Sequence, residues 1–205
     1  MQRFLLSGLP CTLERPSKNG ASFNKSELKS SEVADERKAA LESYTSLPKK
    51  VQDAINDVTF NLGGNGSSCD YENGIVNLGK GSTKESSDHE IGHLVEHRMM
   101  DAKEVEGYKK SLVEGLSIND ISLEIYENNS GEEFGIYIVK GEKFVSEYQG
   151  RIYADSIQDA INEDGSIRID LMEETISEPF RIFQNNPEEL KKYEDIFSMI
   201  ERAVK

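Results

Sequence analysis

Cysteine, histidine, basic charge and long apolar runs are all scarce in this chain, and each scarcity rules something out. The two cysteines, Cys11 and Cys69, have no metal-ligand spacing, which excludes a cysteine-built zinc site. A disulfide between them would need a proximity that the sequence does not show, so two free thiols and a reducing compartment are expected. No stretch approaches the roughly 20 apolar residues of a membrane-spanning helix. Residues 1–13 carry one arginine and a short apolar patch, Phe4-Leu5-Leu6, interrupted by Ser7, Gly8 and Pro10, which is too short for a signal peptide. Lysine and arginine number 24 against 38 aspartates and glutamates, for a net charge of −14. That balance argues against nucleic acid or an anionic membrane as the main partner.

What remains suits one ordinary domain with an N-terminal extension. Apolar residues make up only 36% of the 205 positions, below the usual share. Periodic apolar segments nonetheless recur from residue 47 onward. Residues 1–46 are expected to be an arm with an exposed helix, and 47–205 the folded domain; the chain could also be a piece of a larger polypeptide. The arm is polar over 14–31. Helices are expected over 32–46 and 48–57, the latter with Pro48 in its first turn. Strands are expected over 58–62 and 74–78, the second entered by the Asn73-Gly74 turn. A further helix should run to about Met100, capped by Ser86, Ser87 or Asp88, followed by one over 103–115. Alternation over 122–126 and 134–139 predicts a β-hairpin, and 166–170 reads as another strand after Asp164-Gly165. Helices over 171–184 and 187–203 close the chain, broken at Asn186-Pro187. There are no internal repeats, and the order is that of an α+β protein with a small mixed or antiparallel sheet.

All three histidines lie within nine positions, and two belong to His89-Glu90-Ile91-Gly92-His93. Side chains four apart share a helix face, so His89 and His93 can aim imidazole nitrogens at one ion. Glu90 falls beside them, in reach of a water that the ion activates. Gly92 costs a helix interior about 1 kcal/mol relative to alanine, and close packing near a metal would give it a reason to be there. A catalytic zinc site needs a third protein ligand. His97 and Glu96 are poor candidates, because a straight helix does not wrap three successive turns around one ion. Glu174 and Glu178 are better: they stand four apart on one face of a later helix, and a carboxylate from there would complete a His-His-Glu set. Pro179 disfavours α conformation at Glu178 and removes an amide, so Glu178 is expected at a kink and Glu174 is preferred.

The HExxH helix, followed far downstream by Glu174-Thr-Ile-Ser-Glu178-Pro-Phe-Arg, resembles the gluzincin class of zinc peptidases. More narrowly, it resembles the catalytic domain of anthrax lethal factor and the metallopeptidase-like domains found with bacteriophage minor head proteins and prophage-borne toxins. The resemblance spans about 47–205. It implies a zincin-like fold and a single Zn²⁺ held by His89, His93 and Glu174, with Glu90 as general base. It also implies a tyrosine facing the metal from the Tyr148-Gln-Gly-Arg151 segment, with Tyr153 as the rival to Tyr148. Pro179 directly after Glu178 and the long separation of His93 from Glu174 depart from the toxin, the hairpin being expected to fill the latter. The implied function is hydrolysis of peptide or protein substrates, phage head proteins among them, in the cytoplasm of a bacterial host or in a virion, with secretion as an effector the other route. The alternative is a zinc-binding phage structural or interaction module without catalysis. Strand 74–78 reads in two ways, as the edge onto which an extended peptide adds or as an ordinary core strand.

Overall fold

The computed structural model describes residues 22–23, 31–127, 131 and 133–205. The described residues form β1 (Ser22–Phe23), α1 (Ala34–Ser46), α2 (Lys49–Ala54), β2 (Thr59–Gly64), β3 (Ser68–Asp70), β4 (Ile75–Gly79), α3 (Lys84–Met99) and α4 (Ala102–Val113). Then come β5 (Ile121–Glu127), β6 (Glu133–Val139), β7 (Arg151–Ile152), α5 (Glu174–Asn185), α6 (Pro187–Leu190) and α7 (Glu194–Val204). The class is α+β, as expected. It has two small sheets where the sequence suggested one, and seven helices among the described residues. No helix among these residues is long and apolar enough to cross a membrane.

In the first sheet, order β1-β2-β4-β3, strands β1, β2 and β4 run parallel and β3 is antiparallel. Phe60 and Leu62 of β2 lie opposite Val76 and Leu78 of β4, and all four are buried. Their period of two turns one apolar face of the sheet onto the core. Strand β4 is therefore interior, so of the two readings of 74–78 the core strand holds and the peptide-accepting edge does not. The edge strand on that side is β3, which pairs Ser68, Cys69 and Asp70 with Asn77, Val76 and Ile75. The second sheet is the expected hairpin, β5 against β6 from Ile121↔Val139 to Glu127↔Glu133, with β7 added on the far side. Segment 166–170 is not a strand. Only one isolated bridge, Ile161↔Ile167, forms there, and a 3-10 turn follows at Ile169–Leu171.

Helix α3 runs through the middle of the molecule, packed on α1, α5 and the first sheet. Residues 87–92 are buried on every face, including the polar Ser87, Asp88, His89 and Glu90. Its cap is Thr83, not one of Ser86 to Asp88. Thr83 Oγ1 accepts from the Ser86 amide at 3.3 Å, and Ser86 Oγ accepts from the Thr83 amide at 3.2 Å. That reciprocal pair satisfies two of the amides a helix start leaves open. Ser87 and Asp88 are thus freed to face inward. Asp88 takes the Lys84 ammonium at 2.6 Å and the Asn185 amide at 2.8 Å, and Ser43 donates to its other oxygen. One buried carboxylate so ties α1, α3 and α5 together beside His89.

Helix α1 was expected to be exposed, and it is not. Ala39, Ala40, Ser43 and Tyr44 are buried, and Val33, Ala40 and Tyr44 belong to the same apolar core that extends to Val204. The core thus begins ahead of residue 47. The polar arm over 14–31 lies outside the described residues, apart from Ser31 and from Ser22–Phe23, which pair with Thr59 and Phe60 of β2. Cys11 lies outside them too. Cys69 carries a free, half-buried thiol. The closing helical segment splits into α6 and α7, with Asn186 and Pro187 at the break after α5 as expected.

Candidate metal centre

Two helices meet at a residue without a side chain. A Cβ built on Gly92 of α3 would lie 2.6 Å from Ser177 Cα and 3.0 Å from Ser177 O of α5. Only glycine lets the two backbones come this close. The expected reason for a glycine here, close packing, is what the structure has. His89 and His93 flank Gly92 on α3, while Glu174 lies one turn ahead of Ser177 on α5.

The crossing brings the three side chains together. Their ligand atoms all lie within 4.8 Å of one another, so the group could hold a metal ion. Glu174 Oε2 is 2.8 Å from His89 Nε2 and 3.5 Å from His93 Nε2. Although so close, His89 Nε2 faces the Glu174 carboxylate without a well-formed hydrogen bond to it. A buried nitrogen left unbonded is costly. That nitrogen, the His93 nitrogen and the Glu174 oxygen instead converge on shared space, which fits a cation of imidazole and carboxylate preference that displaces the histidine proton.

A second circle of contacts orients these groups. The Ser177 hydroxyl donates to Glu174 Oε2 at 2.9 Å, and the Tyr153 hydroxyl donates to Glu174 Oε1. On the other edge of His89, Nδ1 is 3.6 Å from Glu178 Oε2. Glu178 is gripped in turn by Arg181, whose Nε and Nη2 each donate at 2.9 Å, and by the Ser146 hydroxyl at 2.9 Å. Glu174 is thus the carboxylate grouped with the histidines, as preferred, while Glu178 has a larger part as a partner of His89 than its place before Pro179 suggested. Helix α5 continues through Pro179, and Glu178 is buried inside it.

Charge follows the geometry. Burial opposes the cationic form of His89, but the carboxylates of Glu174 and Glu178 set against its ring, with the charges of Glu174 and Glu90, prevail and raise its pKa to about 9. Burial would raise Glu174 as well, yet His89 and His93 hold it well below the usual carboxylate range. Glu178 ends near 2 by the same contest of burial against His89 and Arg181. Glu90 differs. Burial, aided by Glu174 and opposed by the two histidines, leaves its pKa raised, as suits a group that takes up a proton.

Glu90, His89, His93 and Glu174 line a cleft of about 340 Å³. Cys69 of β3 and Tyr71 just after it form part of its wall. Burial first, then Glu90, pushes the Cys69 thiol up to about 12, so it stands there as a neutral group. Both tyrosines face the cleft. The Tyr148 ring meets the His89 ring edge-on at 5.0 Å, and the Arg151 guanidinium carbon lies 3.7 Å from the Tyr148 ring centroid. Tyr153 spends its hydroxyl on Glu174, whereas the Tyr148 hydroxyl has no hydrogen-bond partner among the described residues. Burial and Glu174 raise Tyr148 to about 12, keeping it a donor. His97 and Glu96 stay out of the cluster. His97 stacks on Tyr71 at 3.5 Å, and Glu96 pairs with Lys109 at 3.2 Å.

Ser146, Ser177 and Arg181 escaped the reading of the sequence as site residues. Ser177 and Arg181 carry a signal, since their spacings of three from Glu174 and from Glu178 put them in reach along a helix. Ser146 carries none. Comparison with protein-family models, curated proteins and solved structures finds no significant match.

Proposed function

We propose that the chain is a zinc-dependent peptidase with a zincin-like fold and a gluzincin ligand set, acting on peptide or protein substrates. The observation that carries this reading is the convergence of His89 Nε2, His93 Nε2 and a Glu174 oxygen from two crossing helices, with a protonatable Glu90 in the same cleft. Two imidazoles and one carboxylate form a three-ligand set that leaves zinc an open position, as catalytic sites require. Zn²⁺ held there would polarise the scissile carbonyl and acidify water.

The chain's own residues do the rest. Glu90 takes the proton of the attacking water and passes it to the departing amine. Tyr148, its hydroxyl uncommitted, donates to the oxygen on which charge develops. Tyr153 and Ser177 keep the Glu174 carboxylate turned toward the histidines. The free edge of β3 runs beside the cleft, and an extended peptide would add to it as a fifth strand of the sheet. A purely structural metal site has no need of a base, and an intact Glu90 in the cleft favours the enzyme.

The test compares wild type, Glu90→Gln and His93→Ala. Metal analysis should find about one zinc per chain in wild type and Glu90→Gln, and little in His93→Ala. A peptide library should be cleaved by wild type only. Normal cleavage by Glu90→Gln refutes the mechanism, and bound zinc without cleavage of any library by wild type points to a non-catalytic zinc module.

A further inference from the structure

Pro179 lies inside α5 and has no amide hydrogen, so the carbonyl of Thr175, four residues back, loses its helical partner. Thr175 is fully buried, out of reach of bulk solvent. The partner comes from elsewhere in the chain: Gln149, equally buried, donates from Nε2 to Thr175 O at 2.8 Å. The same amide nitrogen donates to the Tyr108 hydroxyl of α4 at 3.3 Å, and Gln149 Oε1 accepts from the Val145 amide at 2.8 Å. Every hydrogen of that side-chain amide is used.

Gln149 is the middle residue of the single turn Tyr148–Gly150. What holds Gln149 therefore holds Tyr148. The turn is pinned on both sides. Ser146 bonds Glu178 of α5, and Gly150 backs so tightly onto β6 that a Cβ there would lie 2.3 Å from Val139 O. The outcome is the edge-on placement of Tyr148 at His89.

We propose that Gln149 is a positioning residue: its amide fills the hydrogen-bond vacancy that Pro179 opens in α5, and so fixes the turn that carries Tyr148 against His89. The proline and the glutamine form one device, in which a defect in the ligand-bearing helix becomes the socket for the tyrosine-bearing turn. The effect on rate rests on the peptidase reading; the geometry does not.

The experiment is a double-mutant cycle of Gln149→Met, which keeps length and removes the donors, with Pro179→Ala, which returns an amide to Thr175. Gln149→Met should lower the denaturation midpoint in the wild-type background and much less in the Pro179→Ala background. Hydrogen exchange by mass spectrometry should show amides 145–150 exchanging roughly tenfold faster in Gln149→Met in both backgrounds, the scale set by losing the hydrogen bonds of one buried amide. In active enzyme, kcat should fall with KM unchanged, and adding Tyr148→Phe should lower it no further. If Gln149→Met does not fold alone, its rescue by Pro179→Ala is the expected result and failure of that rescue overturns the proposal. Equal stability losses in the two backgrounds, or unchanged exchange in either, overturn it as well. A protein that cleaves nothing would refute the peptidase reading while the cycle and the exchange still decide this one.

Discussion

Replacing Gly92 with alanine sets helix propensity against helix packing. In an isolated helix the change gains about 1 kcal/mol. Here the new Cβ would lie 2.6 Å from Ser177 Cα and 3.2 Å from Phe180 Cβ, where ordinary contact begins near 3.4 Å. Ser177 Cα is backbone and cannot rotate away, so α5 must retreat by about 0.8 Å, the difference between 3.4 and 2.6 Å. Overpacking of this kind costs ~1–3 kcal/mol, and the propensity gain offsets part of it. Net destabilisation should be modest, ~0–2 kcal/mol. The ligand set suffers more. His89 and His93 travel with α3 and Glu174 with α5, while metal sites tolerate errors of only about 0.2 Å. Zinc affinity should fall at least ~10–100-fold, the loss typical when a site's supporting contacts are disturbed. Chelator competition measures that affinity, and urea titration of the metal-free protein measures stability. A Gly92→Ala protein that binds zinc as tightly as wild type refutes the claim that this glycine sets the approach of the ligands.

Two further outcomes follow from the charges. His89 has a folded pKa of about 9, raised against burial by Glu174 and Glu178, above its unfolded value of about 6.5. Its contribution to stability is thus complete below about pH 6.5 and is lost as pH climbs through about 9. Metal-free protein should unfold at lower urea at pH 9 than at pH 6, and apparent zinc affinity should rise across the same window as the competing proton leaves; a flat profile of both would show that His89 is not held by the carboxylates. Glu178→Gln should weaken zinc binding about tenfold by removing the carboxylate beside His89 Nδ1, read by the same chelator competition, and an unchanged affinity would reduce Glu178 to a partner of Arg181 alone.

The histidine half of the site was legible because helical spacing is local: residues four apart share a face wherever the helix lies. Gly92 was legible as an anomaly of the same kind, an unfavourable residue that needed a reason. Glu178 was rightly set behind Glu174 as a ligand but underrated as a partner of His89, because the effect of Pro179 was also read locally. Proline does strip Thr175 of its partner, but Gln149, far away in sequence, replaces it, and no local pattern announces that. Strand β3 escaped notice because Ser-Cys-Asp has no apolar alternation, and its pairing comes from β4. Helix α1 looked exposed because its buried face is built of small and polar residues, Ala39, Ala40 and Ser43, with Tyr44. Ser43 is buried through its bond to Asp88, a partner outside the helix. Segment 166–170 alternates as a strand does, yet only Ile167 finds a bridge.

The split of the ligands between α3 and α5 has a consequence for how the chain is held together. The residues between His93 and Glu174 include α4, the β5–β6 hairpin and β7. An ion bound to all three ligands would close that excursion into a ring, a tether between distant stretches of polypeptide much as a disulfide would be. Closing a loop restricts the unfolded chain, and the restriction grows only slowly with length. Because the unfolded chain does not keep the three ligands together, free energy of metal binding would become free energy of folding. Removing the ion would then loosen the closure between the N-terminal and C-terminal halves as well as the reaction centre, leaving the shared apolar core, with contacts such as Gly92 on Ser177 and Asp88 on Asn185, to keep the halves in register.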